Sequence, residues 1–325
     1  MNALKEKARR ALYAIKRNFY KIQIPIKIWC KIFDSVIMPI ALYGCEVWGP
    51  LSKLDYTRWD KHPIESLHAE FLRNILRVQR KTPTNACRAE LGRFPLAINI
   101  QKRSLKFWTH LKFSEENTIK SQAFKTQEVS PNTNPLSQLV LKLTKPLNSL
   151  THQPQTIPAV QNQIKVKQIM NQCKYTYLEH WENQTKSQSK LECYRGLKRN
   201  YELAEYLYTV RDTKQRQILT KYRLCGHSLA VEKGRYKKTW LPRDQRICGH
   251  CTTDEVETEM HFLLHCPKHE QIRQQYFLIF AKEVPNFNIQ NDNEKMAYIL
   301  GERHNCEIAA KYVAACHTRR DSDSM

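Results

Sequence analysis

Apolar residues recur at helical spacing from the start of the chain: Leu4, Ala8, Ala11, Leu12, Ile15 and Phe19 share one face, while Lys5, Arg9, Lys16 and Arg17 fall mostly on the others. That period predicts a helix over 3–20. Pro25 restarts the chain into a second helix, 26 to about 41, whose apolar face takes in Ile28, Ile32, Phe33, Val36 and Ile40. Pro39 is expected to kink or end it. Residues 42–50 carry turn residues and no clear period. Further helices are expected over 64–80, 96–112, 164–183, around 191–208 and over 214–221. From Ser114 to about Gln163 the residues Ser, Thr, Asn, Gln and Pro dominate, which reads as a polar, low-complexity linker with one short helix near 136–143. Ile272, Tyr276, Phe277 and Phe280 continue a helix after Cys266, and 318–325 reads as polar. The chain shows no internal repeat. The expected fold class is mainly α, in five segments: a basic helical region 1–113, a linker 114–163, a second helical region 164–245, a small cysteine-bearing module with its following helix 246–280, and a tail 281–325.

Composition narrows the function classes. A chain of 325 residues that is 41% hydrophobic can bury two or three cores. Its net charge of +22 exceeds what solubility requires and points to a polyanionic partner. The excess is concentrated: residues 1–113 hold 22 Lys/Arg against 8 Asp/Glu. Trp29, Trp48, Trp59, Phe71, Phe94, Phe107 and Trp108 are interleaved with these cations. They read first as core anchors and alternatively as stacking platforms for bases. The eight glycines form neither a dinucleotide-binding nor a phosphate-cradling motif. Ser35, Ser66 and Ser104 lie in no nucleophile motif. The apolar stretch 22–43 is broken by Lys27, Lys31, Asp34 and two prolines, too often for a membrane span. No signal peptide is recognised, so a reducing compartment, nucleus or cytoplasm, is expected, without disulfides.

Eleven cysteines are present, and eight of them are scattered without paired spacing and read as small buried apolar residues. The other three belong to Cys248-x2-Cys251-x9-His261-x4-Cys266, the spacing of a tetrahedral zinc site. Four protein ligands leave no position open for water, so the metal is expected to be structural. A rival set uses His269 in place of His261. His261 is preferred because it opens the apolar run His-Phe-Leu-Leu, where a neutral imidazole can be packed; His250 and His265 are expected to be solvated. Asp254, Glu255, Glu257 and Glu259 form an acidic patch expected to solvate the loop and to favour the start of the next helix. Cys225-Gly-His227 lacks a second cysteine and reads as buried.

Segments 11–16 (ALYAIK), 24–29 (IPIKIW), 37–44 (IMPIALYG), 46–49 (EVWG) and 85–93 (NACRAELGR), with Phe107-Trp108, resemble the region just after the palm in reverse transcriptases of LINE-type (non-LTR) retrotransposons, as found in fish genomes. Downstream, 221–224 (KYRL), 228–235 (SLAVEKGR) and the cysteine array resemble the carboxy-terminal CCHC zinc knuckle of the same polyproteins. The resemblance implies a thumb-like region over 1–113 that grips a template–primer duplex. It also implies a zinc module, with Cys248, Cys251, His261 and Cys266 as ligands, that binds the element's RNA or its DNA target. Polymerase chemistry does not carry over: no Asp-Asp pair occurs anywhere, Met1 aligns already beyond the palm, and the endonuclease is not represented.

The expectation is therefore a non-catalytic fragment that binds RNA or DNA, with a complete reverse transcriptase of the same element as a possible partner and neither membrane nor small-molecule substrate. Lys5, Lys7, Arg9, Arg10, Lys16, Arg17, Arg73, Arg77, Arg80 and Lys81 are the expected phosphate contacts. Two alternatives stand beside it: a zinc-stabilised protein-interaction module, and an inert retroelement relic.

Overall fold

Pro25 and Pro95 each fix the backbone turn that precedes a helix, Ile26–Ile32 and Leu96–Lys112, while Asp55, Thr118, Asp212 and Asn291 cap others through their side chains. The result is mainly helical. Among the residues described by this computed structural model, two isolated β-bridges (Leu91 with Leu203, Ile247 with Val256) are present and no sheet. Those residues are 1–52, 54–129, 134–148, 159–236, 238–301 and 306–322, with 146–148 and 159–165 described in backbone only. No helix among them is long and apolar enough to cross a membrane. The chain divides into two units that are discontinuous in sequence: Met1–Ala69 with Phe94–Glu182, and Glu70–Arg93 with Asn183–Met325. The contiguous segments drawn from sequence therefore miss that 70–93 belongs with the carboxy-terminal half.

In the first unit, the helix Asn2–Asn18 buries Ala8 and Leu12. The expected helix from 26 to 41 forms, but it passes through a wide π-turn at Phe33–Ile37. Pro39 has no amide to give the carbonyl one turn back, and the widened turn just before it accommodates that gap without ending the helix. Phe33 and Ile37 are buried, whereas Ile28 and Val36, assigned to the apolar face, are exposed. Inside the unit lies the carboxylate of Glu65, fully buried. It accepts from the Trp59 indole (2.6 Å) and from the Leu96 amide (2.8 Å), and it pairs with His68 Nδ1 at 2.9 Å. One side chain thus ties a short helix, the helix Pro63–Leu76 and the start of Leu96–Lys112.

The polar stretch 114–163 holds the short helix expected near 136–143 and more besides. It carries helices Ile119–Glu128 and Pro135–Asn148, which bury Phe124, Leu136, Leu139, Val140 and Leu143. The polar runs at 130–133 and 149–158 lie outside the described residues.

The second unit is organised by a buried ion pair. Arg223, at the end of Thr213–Arg223, places Nε 2.5 Å from Glu90 Oε1 and donates to the Leu300 carbonyl; Tyr194 OH donates to Glu90 Oε2 at 3.1 Å. Burial alone would raise the Glu90 pKa, but the Arg223 guanidinium outweighs it and holds the carboxyl below the usual range. Next to Glu90, Gly92 takes a left-handed φ of 61° and lies so close to Leu203 that a Cβ would sit 2.8 Å from the Leu203 amide nitrogen. Residues 281–325 are no tail. Helix Cys306–Asp321 packs along Thr213–Arg223 and buries Ala310, Tyr312, Val313 and Cys316, against the rings of Phe280, Phe287 and Tyr298.

Two stability predictions come from these carboxylates. Glu65→Ala removes the acceptor of a buried indole and a buried amide, and is expected to cost about 3 kcal/mol in urea unfolding. Because the folded pKa of Glu90 is depressed, its contribution is full above the unfolded value of about 4.3 and is lost as pH falls through the folded value. The urea midpoint of wild type should therefore drop below about pH 4, and Glu90→Gln, destabilised at neutral pH, should show a flatter acid limb.

Candidate metal centre

The four residues singled out by spacing converge in space. One ligand atom each from Cys248, Cys251, His261 and Cys266 lies within 4.8 Å of all the others, and these four could hold a metal ion. In a tetrahedron with metal–sulfur bonds of about 2.3 Å, ligand atoms stand about 3.7 Å apart, so a small contraction of this cluster suffices.

The local backbone explains the convergence. The Ile247–Val256 bridge and the Cys248 amide, which donates to the Glu255 carbonyl at 2.8 Å, fold 247–256 into a tight hairpin. Asp254 turns it with a left-handed φ of 53°. Cys248 and Cys251 stand at the base and in the turn of that hairpin. The second pair comes from the π-turn His261–His265, closed by the Cys266 amide donating to the His261 carbonyl at 2.7 Å. Residues five apart diverge on an α-helix; the wider turn returns them to one side.

His261 is further oriented by Glu255, whose Oε2 lies 2.6 Å from Nδ1, leaving Nε2 directed toward Cys251 Sγ at 3.4 Å. A carboxylate behind a ligating imidazole fixes its tautomer and its direction. Ligation would require these groups to give up their protons, so uptake of a cation is coupled to proton release. Burial drives the Cys248 thiol up to about 12. Burial also opposes ionisation of Cys251, but hydrogen bonds from Thr253, Cys248 and His261 overcome it and bring that thiol down to about 7. The bond with Cys266 is the main cause that lifts His261 to about 9; burial opposes it and Glu255 adds to it.

His269, the rival ligand, is buried elsewhere. Its ring meets Phe262 edge-on at 4.8 Å, and burial pushes its pKa down to about 4. His265 pairs with Asp292 (2.9 Å), and His250 Nδ1 lies 3.5 Å from the Lys268 amine.

The acidic patch departs most from expectation. Only Asp254 simply faces solvent. Glu257 is buried and makes a two-pronged pair with Arg320 (2.7 and 3.1 Å) while accepting from the Ala230 amide at 2.5 Å. Glu259 is buried against His227 at 2.8 Å, and His227 holds its carboxyl below the usual range despite burial. Loop residues expected to be solvated therefore anchor the metal hairpin to Cys306–Asp321 and to the segment after Thr213–Arg223. Cys225 is buried, and burial drives its thiol well up; neither it nor His227 joins a metal-ligating cluster among the described residues.

The ten cations assigned to phosphate contact separate into two groups. Lys5, Lys7, Arg9, Arg10, Lys16 and Arg17 lie on Asn2–Asn18 in the first unit, where Arg9 and Lys16 sit over the Tyr13 ring. Arg73, Arg77, Arg80 and Lys81 lie in the second. There Arg73 donates to the Thr82 carbonyl and to Thr84 Oγ1, and Lys81 stands 3.4 Å above the Tyr236 ring, while Arg77 and Arg80 are exposed. No family model, curated protein or solved structure matches the chain.

Cys251→Ser is expected to abolish metal uptake and to loosen 246–280, whereas Cys306→Ser retains the metal, both read by metal stoichiometry and thermal unfolding. His261→Ala should lose the metal and His269→Ala keep it. Glu255→Ala should weaken metal affinity about 10- to 100-fold without removing a ligand, measured by competition with a chromogenic chelator.

Proposed function

We propose that the chain is a non-catalytic nucleic-acid-binding fragment of a LINE-type retrotransposon reverse transcriptase, braced by a structural zinc ion on Cys248, Cys251, His261 and Cys266. Zinc is the metal that this donor set suits: three thiolates and one imidazole are soft to borderline ligands, and four of them fill a tetrahedron. A filled coordination shell gives water no place to be activated, so the ion's contribution is to fold the hairpin and π-turn together.

The observation that carries the reading is the net charge of +22, well beyond the needs of solubility. Lys7, Arg9, Arg10 and Arg17 are exposed along one helix, and Arg77 and Arg80 are exposed in the second unit. Spread along the chain, they suit backbone contact with a polynucleotide, RNA or DNA, with slight sequence preference. A complete polymerase of the same element is the natural protein partner. A second reading, a protein-interaction module, draws on exposed apolar side chains in the first unit, among them Tyr20, Ile22, Tyr43, Val47 and Leu51.

Salt titration tests the first reading. With about five phosphates neutralised, a fourfold rise in salt should weaken binding about 100- to 500-fold, depending on whether the strand is single or duplex. Reversing Lys7, Arg10 and Arg17 to Glu should lower affinity and flatten the salt slope, read by fluorescence anisotropy. Affinity that ignores salt and charge reversal favours the protein-interaction reading.

A further inference from the structure

The segment 233–246 was not singled out by spacing, yet its described residues form an exposed loop strapped by several hydrogen bonds beside the hairpin 247–256. It opens after the short helix Ala230–Lys233 and closes on itself where the Leu241 amide donates to the Gly234 carbonyl at 2.9 Å. The Thr239 amide donates to the Tyr236 carbonyl at 2.8 Å, and Thr239 Oγ1 donates to the Lys233 carbonyl at 2.7 Å. The buried guanidinium of Arg246 locks the base, donating to the Leu241 carbonyl from Nε and Nη2 (3.0 and 2.8 Å) and to the Val231 carbonyl from Nη1 (2.9 Å). Arg246 fits there because Gly234 has no side chain; a Cβ would stand 2.7 Å from Arg246 Cγ.

This strapping presents an indole to solvent. Trp240 is 64% exposed, and no ring or cation stacks on it among the described residues. Exposing a large apolar ring on a fixed loop forgoes the burial energy that such a side chain normally contributes. Its surroundings are cationic: residues 233–246 hold six Lys/Arg against one Asp. Lys233 and Lys238 are exposed. Lysine is depleted in protein–protein interfaces, whereas contact with a phosphate backbone calls for it.

A flat, exposed ring on a strapped loop that also carries exposed cations matches one ligand chemistry. Stacking on an indole suits the unpaired bases of a single strand, with phosphates reaching the flanking lysines. A duplex offers no such base, because its faces are already stacked. The neighbouring cavity of about 700 Å³ does not compete for this role. Three of its four lining cations already meet carboxylates, Arg235 and Lys190 with Glu232 (2.7 and 3.2 Å) and Arg243 with Glu192, and Glu259 and Glu294 line it as well.

Resting on the nucleic-acid reading above, we propose that Trp240 is a base-stacking platform for single-stranded RNA or DNA, with Lys233 and Lys238 holding the strand's phosphates. The test measures anisotropy of labelled oligo(U), oligo(dT), an abasic strand of equal length and a duplex on the full chain. Trp240→Ala should weaken oligo(U) or oligo(dT) binding about tenfold. It should leave the abasic strand and the duplex unchanged, and Trp240→Phe should retain most of the affinity. Oligo(U) against oligo(dU), which share one base, separates the two sugars. Single-strand binding indifferent to Trp240→Ala, or an equal loss on the abasic strand, overturns the stacking site while leaving the nucleic-acid reading in place. A wild-type chain that binds none of these probes overturns both. Self-association abolished by Trp240→Ala, with oligonucleotide affinity unchanged, assigns the indole to a protein contact and also overturns the proposal.

Discussion

A carboxylate removed from water must find a cation, and the second unit is arranged around that requirement. Glu90, Glu257 and Glu259 are all buried, and Arg223, Arg320 and His227 answer them. Deleting one partner of such a pair leaves an uncompensated charge at a cost of about 3–5 kcal/mol, which is a large share of the stability of a domain. Each pair joins stretches far apart in sequence. Glu90–Arg223 draws 70–93 into the carboxy-terminal half, and Glu257–Arg320 fastens the metal hairpin to the last helix. Replacement of whole pairs by apolar residues can be neutral, so their effect is best understood as fixing which segments meet.

The metal centre inherits its precision from that frame. Glu257 and Glu259 sit between the two ligand pairs, so pinning them sets the distance between the hairpin and the π-turn. Glu255, on the same stretch, then aims the His261 ring. Alternate acidic residues at 255, 257 and 259 thus divide three tasks: one orients a ligand, and two anchor its support. Tyr222, stacked on both Phe262 (5.0 Å) and His227 (5.0 Å), adds an apolar contact between the same elements.

The ligand quartet was legible because metal geometry imposes short, recognisable spacings, and the preference for His261 over His269 followed from its place at the head of an apolar run. The anchoring role of Glu257 was not legible. Its partner Arg320 is 63 residues away, and a solvated acidic patch reads the same along the chain as a buried one. Helix Cys306–Asp321 hid for another reason: it is buried on several sides by small residues such as Ala309, Ala310 and Cys316, so no polar–apolar period marks it. In 135–148 the signal was legible, since Leu136, Leu139, Val140 and Leu143 keep helical spacing, whereas Ile119–Glu128, which buries only Ser121 and Phe124, was lost among the surrounding polar residues. The mainly α class survived these misses because it rests on many helices, not one.

Charge at the metal centre bears on where a polyanion can be held. With a divalent ion bound, three thiolates and a neutral imidazole would carry a net charge of about −1, and the Glu255 carboxylate beside His261 would add another. Such a cluster would not attract a phosphate backbone by itself, although Lys268 beside His250 and Arg273 on the Cys266 carbonyl offset its charge. Under the proposed reading, the ion then has no direct contact with the strand. Its part is to hold rigid the ground on which cationic segments stand, among them 233–246, which ends two residues before Cys248. The straps of Arg246 to Val231 and Leu241 couple that loop to the hairpin base, since the Arg246 carbonyl accepts from the Glu257 amide at 2.9 Å. Hydrogen bonds from Glu257 to Arg246 and from Arg246 to the Leu241 carbonyl thus tie the loop that carries Trp240 to the hairpin that carries Cys248 and Cys251.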